Sequence, residues 1–552
     1  MDILTLLKAN IRRKKGSFVS VILLTLIIAM SVTTILSIRE SALKGIDHAH
    51  ELCNTPDIWV SYPAYDFSDD LIEKVKSDSK VKRVNVIDSI ITDKGLMGDR
   101  EYNTSMLLIK ADENTKLVNE SLNGINENAP KLQKGEAYVP QGFLTDLNGK
   151  VGQKVTFKTI AGDFEFTVKG ILLEPIAGSS MIGWKNICIS DEDFSEIEAS
   201  ASGAETDNMR GFGKALKVYK SDNCTLTDTQ LRRQLNSETG LTDMSFFSLT
   251  RDMSINYTTL FPTIVCSILL VFIMLLLAIV IIVTVHSISV EIETNYVTFG
   301  VLKAQGFDKN KIRLLFLGQY LLAEMIGAVI GIVLSIPLIG VCLNIFVTII
   351  AVPAVMSIPI GIIALILAGM FALSAVSIFF VTMKVNKISP VRAISGAKNE
   401  IYFDSRLNAP ISKRLLSPSL ALRQFTSAKR RYAGTLVIVA VLVFFMMTVT
   451  ILANTVTSKS ALYSMGAIVS EINISPKAKL SDSNHEKIEK EIERFAEIEK
   501  AYYTNYTYFS FNGEEMMGTI YKDPSQLPAL KGRTPEYDNE IAATPILLQG
   551  FD

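Results

Sequence analysis

Apolar residues in this chain are gathered into a few long blocks, separated by stretches in which polar and apolar positions alternate over short distances. Phe18 to Ile38 carries no charged residue. A bilayer crossing needs about 20 mostly apolar residues, so this block predicts a first transmembrane span, 18–38. Lys8, Arg12, Arg13, Lys14 and Lys15 precede it. The block is too long for the h-region of a signal peptide and lacks a small-x-small cleavage site, so it reads as a retained anchor with its N-terminus, 1–17, in the cytoplasm. Leu260 to Val285 predicts a second span. Between Glu324 and Lys384 lie 59 consecutive residues without Asp, Glu, Lys or Arg, more than one crossing uses. Pro337, Gly340, Pro353 and Pro359 fall near its middle and predict two spans, 314–338 and 358–383, joined by a short apolar hairpin. A fifth block, Gly434 to Asn454, predicts one more.

The alternating stretches predict soluble structure. Ile58-Trp59-Val60 and Val81 to Ile87 read as strands, and Ser68 to Lys76 as a helix opened by Ser or Asp caps, an α/β pattern. Lys154 to Thr159 and Phe164 to Ile171 alternate about an Ala-Gly-Asp turn, which predicts a hairpin. Residues 39–255 are long enough for one or two compact domains. The fold class that follows is an α-helical integral membrane protein with large α+β extracytoplasmic domains.

Charge tests the sidedness. The chain of 552 residues is 48% hydrophobic and 20% charged, with 55 Lys plus Arg against 56 Asp plus Glu, a balance that argues against a nucleic-acid partner. Locally the balance breaks: 384–432 holds eleven basic and two acidic residues, whereas 39–255 holds 34 acidic and 25 basic ones. Positive loops stay inside, so 286–313 and the basic linker 396–432 are placed in the cytoplasm, and 39–255 and 460–552 outside a plasma membrane. The cysteines, at 53, 188, 224, 266 and 342, form no short pair and indicate neither a disulfide scaffold nor a cysteine metal site.

The chain also repeats itself. Thr34-Ile35-Leu36 and Ser41-Ala42-Leu43, leaving the first span, recur as Thr450-Ile451-Leu452 and Ser460-Ala461-Leu462, leaving the fifth. A strand-like stretch follows each, Asp57 to Ser61 or Glu471 to Ser475, then a charged helix, Ser68 to Lys76 or His485 to Phe495, the latter with Asn484 as a candidate N-cap. Lys134 to Pro140 recurs as Asp538 to Pro545. The expectation is a unit of one span, a large outer domain and three spans, followed by a second, incomplete copy whose natural chain continues with about three further spans.

The loop after the second span is the richest in signals. Residues 289–306 read as a short surface helix with Gly306 as its C-cap, and Asp308 as N-cap of the next helix. Glu291, Glu293, Gly300-Val301-Leu302-Lys303-Ala304 and Gly306 resemble the cytoplasmic signature of the FtsX-like, MacB-type ABC transporter permeases. Ile388-Ser389-Pro390-Val391-Arg392-Ala393-Ile394 resembles the motif closing that family's domain, and the span order agrees. The resemblance covers Met1 to about Ser395, with 260–395 as the FtsX-like permease domain, and departs from the family pattern at Gln305. It implies that 289–306 is a coupling helix seated in a groove of a separate ABC ATPase subunit, working as a dimer with ATP and Mg. Read from the residues alone, the same helix lies at the lipid interface.

The chain has no GxxxxGK[ST] loop and so supplies no ATP site of its own. Glu324 lies about ten residues into the third span, followed by Gly327 and Gly331 in GxxxG spacing, which predicts a close helix-packing seam. His48-Ala-His50 lacks further ligands, His485-Glu486-Lys487-Ile488-Glu489 has Glu where a zinc peptidase needs its second His, and no GxSxG elbow occurs, so no metal site and no catalytic residue is expected. The reading is a permease subunit that exports or extracts a peptide, antibiotic, lipid or lipoprotein. The alternative is an ABC-type transmembrane regulator of a cell-wall hydrolase or a sensor kinase. An outer substrate or accessory protein and membrane lipid complete the partners.

Overall fold

The computed structural model describes residues 8, 11–12, 15–201, 210–243, 245–394, 416–427, 429–456, 472, 474, 482–511, 514–521, 529, 531–537 and 539–543. The chain divides into two compact units, Met1–Leu442 and Val443–Asp552.

The first unit opens with α1 (Lys15–Leu52), a helix that leads directly into a sheet domain. In chain order the domain contains β1 (Ile58–Pro63), α2 (Asp69–Ser77), β2 (Val81–Thr92), β3 (Gly95–Met97), β4 (Arg100–Tyr102), β5 (Met106–Lys110), β6 (Leu117–Val118), β7 (Ile125–Asn126) and β8 (Glu136–Pro140). It continues with α3 (Gln141–Leu147), β9 (Lys154–Thr159), β10 (Gly162–Leu172), β11 (Lys185–Ile189), α4 (Asp191–Ser200), β12 (Gly211–Lys220), α5 (Asp228–Thr239) and β13 (Phe247–Thr250). The strands form one mixed sheet in the order β13-β1-β12-β2-β5-β11-β8-β10-β9-β3-β4, with β6 on β10 and β7 on β6. β5–β11 and β8–β10 are parallel; the other pairs are antiparallel, including the β9–β10 hairpin.

Successive residues of the central strands enter opposite cores. Leu108 packs with Ile90, Val139 and Ile187 on one face, while Leu107 and Ile109 pack with Trp59, Tyr138 and Cys188 on the other. A strand buried on both faces needs no polar alternation, which explains the unbroken Met106-Leu-Leu-Ile109 run. A third core sets Ile72 and Val75 of α2 and Leu231 and Leu235 of α5 on Ile58, Val60 and Val218.

Beyond the sheet come α6 (Arg251–Thr294), α7 (Tyr296–Ala304), α8 (Lys309–Ile350), α9 (Ile360–Thr382) and α10 (Pro390–Ile394). Among the described residues four helices are long and apolar enough to cross a membrane, and they lie in α1, α6, α8 and α9. At 1.5 Å per residue the 38, 44 and 42 residues of α1, α6 and α8 reach about 57, 66 and 63 Å, well past a hydrocarbon core of about 30 Å, whereas α9 with 23 residues just spans it.

Several elements outrun their sequence signals. The expected 18–38 span is the middle of α1, which runs on to Leu52, and the expected 260–285 span starts at Arg251, where Thr250 Oγ1 accepts the Met253 N–H as N-cap. Pro337 does not end the third span: α8 carries it and continues to Ile350. A proline removes one N–H donor, which an apolar helix packed on neighbours tolerates. The chain turns only at Ala351, in the left-handed region at φ 62°, and runs without helix to Pro359. The expected 289–306 helix is divided, residues 289–294 completing α6 and α7 starting at Tyr296. Ser68 and Asp308 stand at N-cap positions, but neither side chain makes the cap bond.

After α10 come α11 (Leu416–Ser427) and α12 (Lys429–Val456). The expected fifth span, 434–454, lies inside α12, whose apolar stretch, Val439–Thr455, is shorter than the four above. In the second unit are α13 (Asp482–Glu493) and the antiparallel hairpin β14 (Thr504–Phe511) to β15 (Glu514–Tyr521). Asn484 lies within α13 rather than capping it, and of the repeat at 471–475 and 538–545 residues 471, 473, 475, 538, 544 and 545 fall outside the described residues.

Candidate functional site

α1 enters the sheet domain at its C-terminal end and α6 leaves the domain at its N-terminal end, so the starts of α1 and α8 and the ends of α6 and α9 gather at the opposite end of the bundle. A compact core forms there from Val21, Ile288, Ile292, Phe299, Phe316, Tyr320, Ile378, Val381, Ile388 and Ala393. It brings the two separate sequence signatures together. Gly300 of α7 lies directly on Ala393 of α10, and any Cβ at 300 overlaps the Ala393 methyl. Lys303 Nζ donates to the carbonyls of Val385 and Ile388 at 2.7 and 3.0 Å, tying α7 to the turn between α9 and α10. Burial, with Lys309 nearby, lowers the Lys303 pKa from its ordinary value.

Gly306, at φ 90°, closes α7 as the sequence predicts. Its N–H bonds the Lys303 carbonyl at 3.1 Å and the Phe307 N–H bonds the Leu302 carbonyl at 3.0 Å, the double bond pattern of a Schellman ending. Glu291 is buried, with Oε2 3.4 Å from the Tyr320 hydroxyl, so it faces the bundle rather than solvent. Glu293, Val301 and Ala304 are exposed, and Leu302 is half-buried.

The outward face of α7 is therefore mostly apolar, with Thr298 as the polar residue exposed on it. Val297 and Val301 are 56% and 37% exposed and Ala304 follows one turn on, a stripe at i, i+4 and i+7; Val391 of the adjoining α10 is 76% exposed. Val297 is the residue that motif reading missed, and Val391, already within the closing motif, is given no place in the site by the sequence. The i, i+4 spacing from Val301 is a signal that finds the first, and the packing of α10 on α7 finds the second.

Gly327 and Gly331 of α8 meet the backbone of α1. A Cβ at 327 lies 2.5 Å from the Ile22 carbonyl oxygen and 3.0 Å from Thr25 Cβ; one at 331 lies 2.5 Å from the Leu26 carbonyl oxygen and 3.0 Å from Ala29 Cβ. Glu324, one turn before Gly327, is fully buried with neither carboxylate oxygen in a hydrogen bond of good geometry, and interacts with the buried Ser374 hydroxyl of α9.

The other end of α8 is bonded into the sheet domain. Thr145 Oγ1 of α3 donates to the Thr348 carbonyl at 3.3 Å, and Ser179 Oγ and the Ser180 N–H both donate to the Ile349 carbonyl, at 3.0 and 3.3 Å. These bonds satisfy the terminal carbonyls of the helix. Fully buried Lys185 holds the 179–184 loop in shape, donating to the carbonyls of Ser179 at 2.9 Å, Trp184 at 3.1 Å and Ile182; burial pushes its pKa down to about 8. Beside it, Ser41 Oγ of α1 donates to the Ser357 carbonyl at 3.1 Å and accepts the Ser357 N–H at 2.9 Å. At the root of α6, Arg251 pairs with Asp57, whose Oδ2 accepts the Lys220 N–H at 2.8 Å.

Residues 246–390 match the family model described as FtsX-like permease C-terminal. That stretch is similar to the C-terminal domain of FtsX-like permeases. The matched stretch starts just before β13 and ends at Pro390, so it contains α6 to α9 and the α7 surface, while the sheet domain lies outside it. No curated protein matches the chain. Proteins of that family are membrane subunits that work with an ABC ATPase, and the matched stretch of this chain holds three of the helices long and apolar enough to cross a membrane. No group of His, Cys, Asp or Glu among the described residues is arranged to hold a metal ion.

Proposed function

We propose that the chain is the permease subunit of an ABC transporter in which a separate ATPase docks on α7 and α10 and moves the sheet domain to export or extract a substrate. The observation that supports this reading is the exposed Val297, Val301 and Val391 surface on a helix fixed to the bundle through Gly300 and Lys303. Three exposed valines on short elements at a bundle end are an unpartnered apolar surface of the kind that binds protein. In this assignment Glu291, Gly300 and Lys303 hold the coupling helix in place, and Val297, Val301 and Ala304 make the contact.

α8 is the element that carries motion. Its start adjoins α7, its glycines lie against α1, and its end is bonded to α3 and the 179–184 loop. A displacement at α7 then reaches the sheet domain through one continuous helix about 63 Å long. ATP and Mg act in the partner subunit, the N-terminus and α7 face the cytoplasm, and the sheet domain faces outside. Purification from native membranes tests the reading: the wild-type chain brings down a subunit that hydrolyses ATP, and a Val297→Asp/Val301→Asp chain inserted at equal level does not. Equal recovery of the ATPase with both overturns it.

A further inference from the structure

Where α1 ends, residues 53–56 join Leu172 to Ile176 and the loop after β5 around a cavity of about 270 Å³ over the sheet. Its floor is apolar and aromatic, made by Trp59, Ile109, Leu172 and Ile176. Two acidic side chains in its wall are anchored in place, Asp112 as a carboxylate and Glu174 with its pKa pushed up by burial toward the neutral acid. Asp112 Oδ1 accepts the Asn114 N–H at 2.9 Å and the Thr115 hydroxyl at 3.2 Å, and Glu174 Oε1 accepts the Ile176 N–H at 3.2 Å.

Of the two lysines among the described residues lining the cavity, Lys217 is the one held loosely. Lys217 Nζ of β12 lies 5.0 Å from the centre of the Trp59 ring and 3.9 Å from Asp112 Oδ2, a separation too long for a hydrogen bond, and it makes none among the described residues. Its side chain is 16% exposed, so its flexible stem has a way out to solvent. Asp88, also in the wall, is already paired with Lys214 at 3.2 Å, and Lys110 lies over the Phe194 ring.

We infer that this cavity binds an organic cation with an apolar body, and that Lys217 occupies the cation's place until the ligand displaces it. The fixed Asp112 carboxylate and the aromatic floor are the preorganised half of such a site, and a cation over Trp59 is what that ring attracts. An anion in the same place would lie against Asp112 and Glu174. The acidic excess of 39–255 concentrates cations near the domain. The cavity wall includes the exit of α1 and the residues leading to the loop on α8, so an occupant sits at the joint between the sheet domain and two long helices.

As a substrate class this rests on the transport reading above, but binding is measured with no ATPase present, and its failure leaves the α7 surface untouched. The full chain in lipid nanodiscs, with Trp184→Phe so that Trp59 is the only tryptophan, is titrated with hexylammonium, hexanol and hexanoate, which share a tail and differ in head. Hexylammonium changes Trp59 emission saturably, Lys217→Met tightens its Kd about 5-fold by removing the competing ammonium, and Asp112→Asn weakens it about 10-fold. Added salt weakens binding of the charged head. Hexanoate binding that Lys217→Met abolishes marks an anion site and overturns the inference. So does equal binding of hexanol and hexylammonium, which marks an apolar crevice, or no response to any probe. Where the Trp184→Phe chain does not fold, calorimetry on the wild-type chain and the two single variants reads the same series.

Discussion

Alanine substitutions along α8 have opposite expected signs within one helix, and the difference measures how closely α1 and α8 pack. A Cβ at Gly331 lies 2.5 Å from the Leu26 carbonyl oxygen and 3.0 Å from Ala29 Cβ and the Met30 nitrogen. Carbon atoms pack at about 3.5–4.0 Å, so the helices must separate by roughly 0.5–1 Å, which forfeits about a quarter to a half of the local dispersion energy. Overpacking of this kind costs about 1–3 kcal/mol, against a helix-propensity gain of about 0.8–1 kcal/mol for Gly→Ala, leaving Gly331→Ala destabilised by up to about 2 kcal/mol. Gly327→Ala behaves alike. The pair is sub-additive, because a separation forced at one glycine opens space at the other one turn away. Gly340, farther along α8, has nothing within 4 Å of its Cβ position, so Gly340→Ala gains the propensity term undiminished. Unfolding of the purified chain in mild detergent, followed by far-UV circular dichroism against denaturant, reads all four variants. If Gly331→Ala gains as much as Gly340→Ala, or the two seam substitutions add in full, the close-contact reasoning is refuted.

Gly300→Leu drives α10 off α7 and lowers ATPase recovery at least several-fold, and normal recovery at normal insertion contradicts the assigned contact with Ala393. Asp57→Ala leaves Arg251 without its carboxylate at the root of α6 and destabilises the chain by about 1–3 kcal/mol, checked by the same unfolding assay. Lys185 has a folded-state pKa of about 8 against an ordinary value near 10.4, so between these values the unfolded chain binds the extra proton. Stability therefore rises with pH across that window, by up to about 3 kcal/mol, and Lys185→Met flattens the rise. Unfolding at pH 7.5 and 9.5 for both chains checks the sign.

The parts of the structure legible in the sequence are those set by local pattern. The uncharged blocks mark the apolar centres of α1, α6, α8 and α9, the alternation about the Ala-Gly-Asp turn marks β9–β10, and Gly306 marks the end of α7. Helix ends set by tertiary contacts were not legible. α8 passes Pro337 and stops at Ile350, where Thr145, Ser179 and Ser180, distant in sequence, take its terminal carbonyls. The direction of each signature residue was hidden for the same reason. Within Glu291 to Gly306 the motif mixes residues facing inward, Glu291, Gly300 and Lys303, with residues facing outward, Val301 and Ala304, and only the contacts with Tyr320, Ala393 and the Val385 and Ile388 carbonyls separate them. Lys217 and Lys185 carry no sequence signal, since one is an unremarked strand lysine and the other is a charge that the fold buries on backbone carbonyls.

The central claim is that the exposed valines of α7 face a protein rather than lipid. Photo-crosslinking in native membranes tests it, with a light-activated side chain at Val301 and, as lipid-facing control, at exposed Val333 of α8. The account predicts a Val301 adduct to an ATP-hydrolysing subunit, changed in yield by added nucleotide and absent at Val333. Adducts to lipid alone at both positions would contradict it.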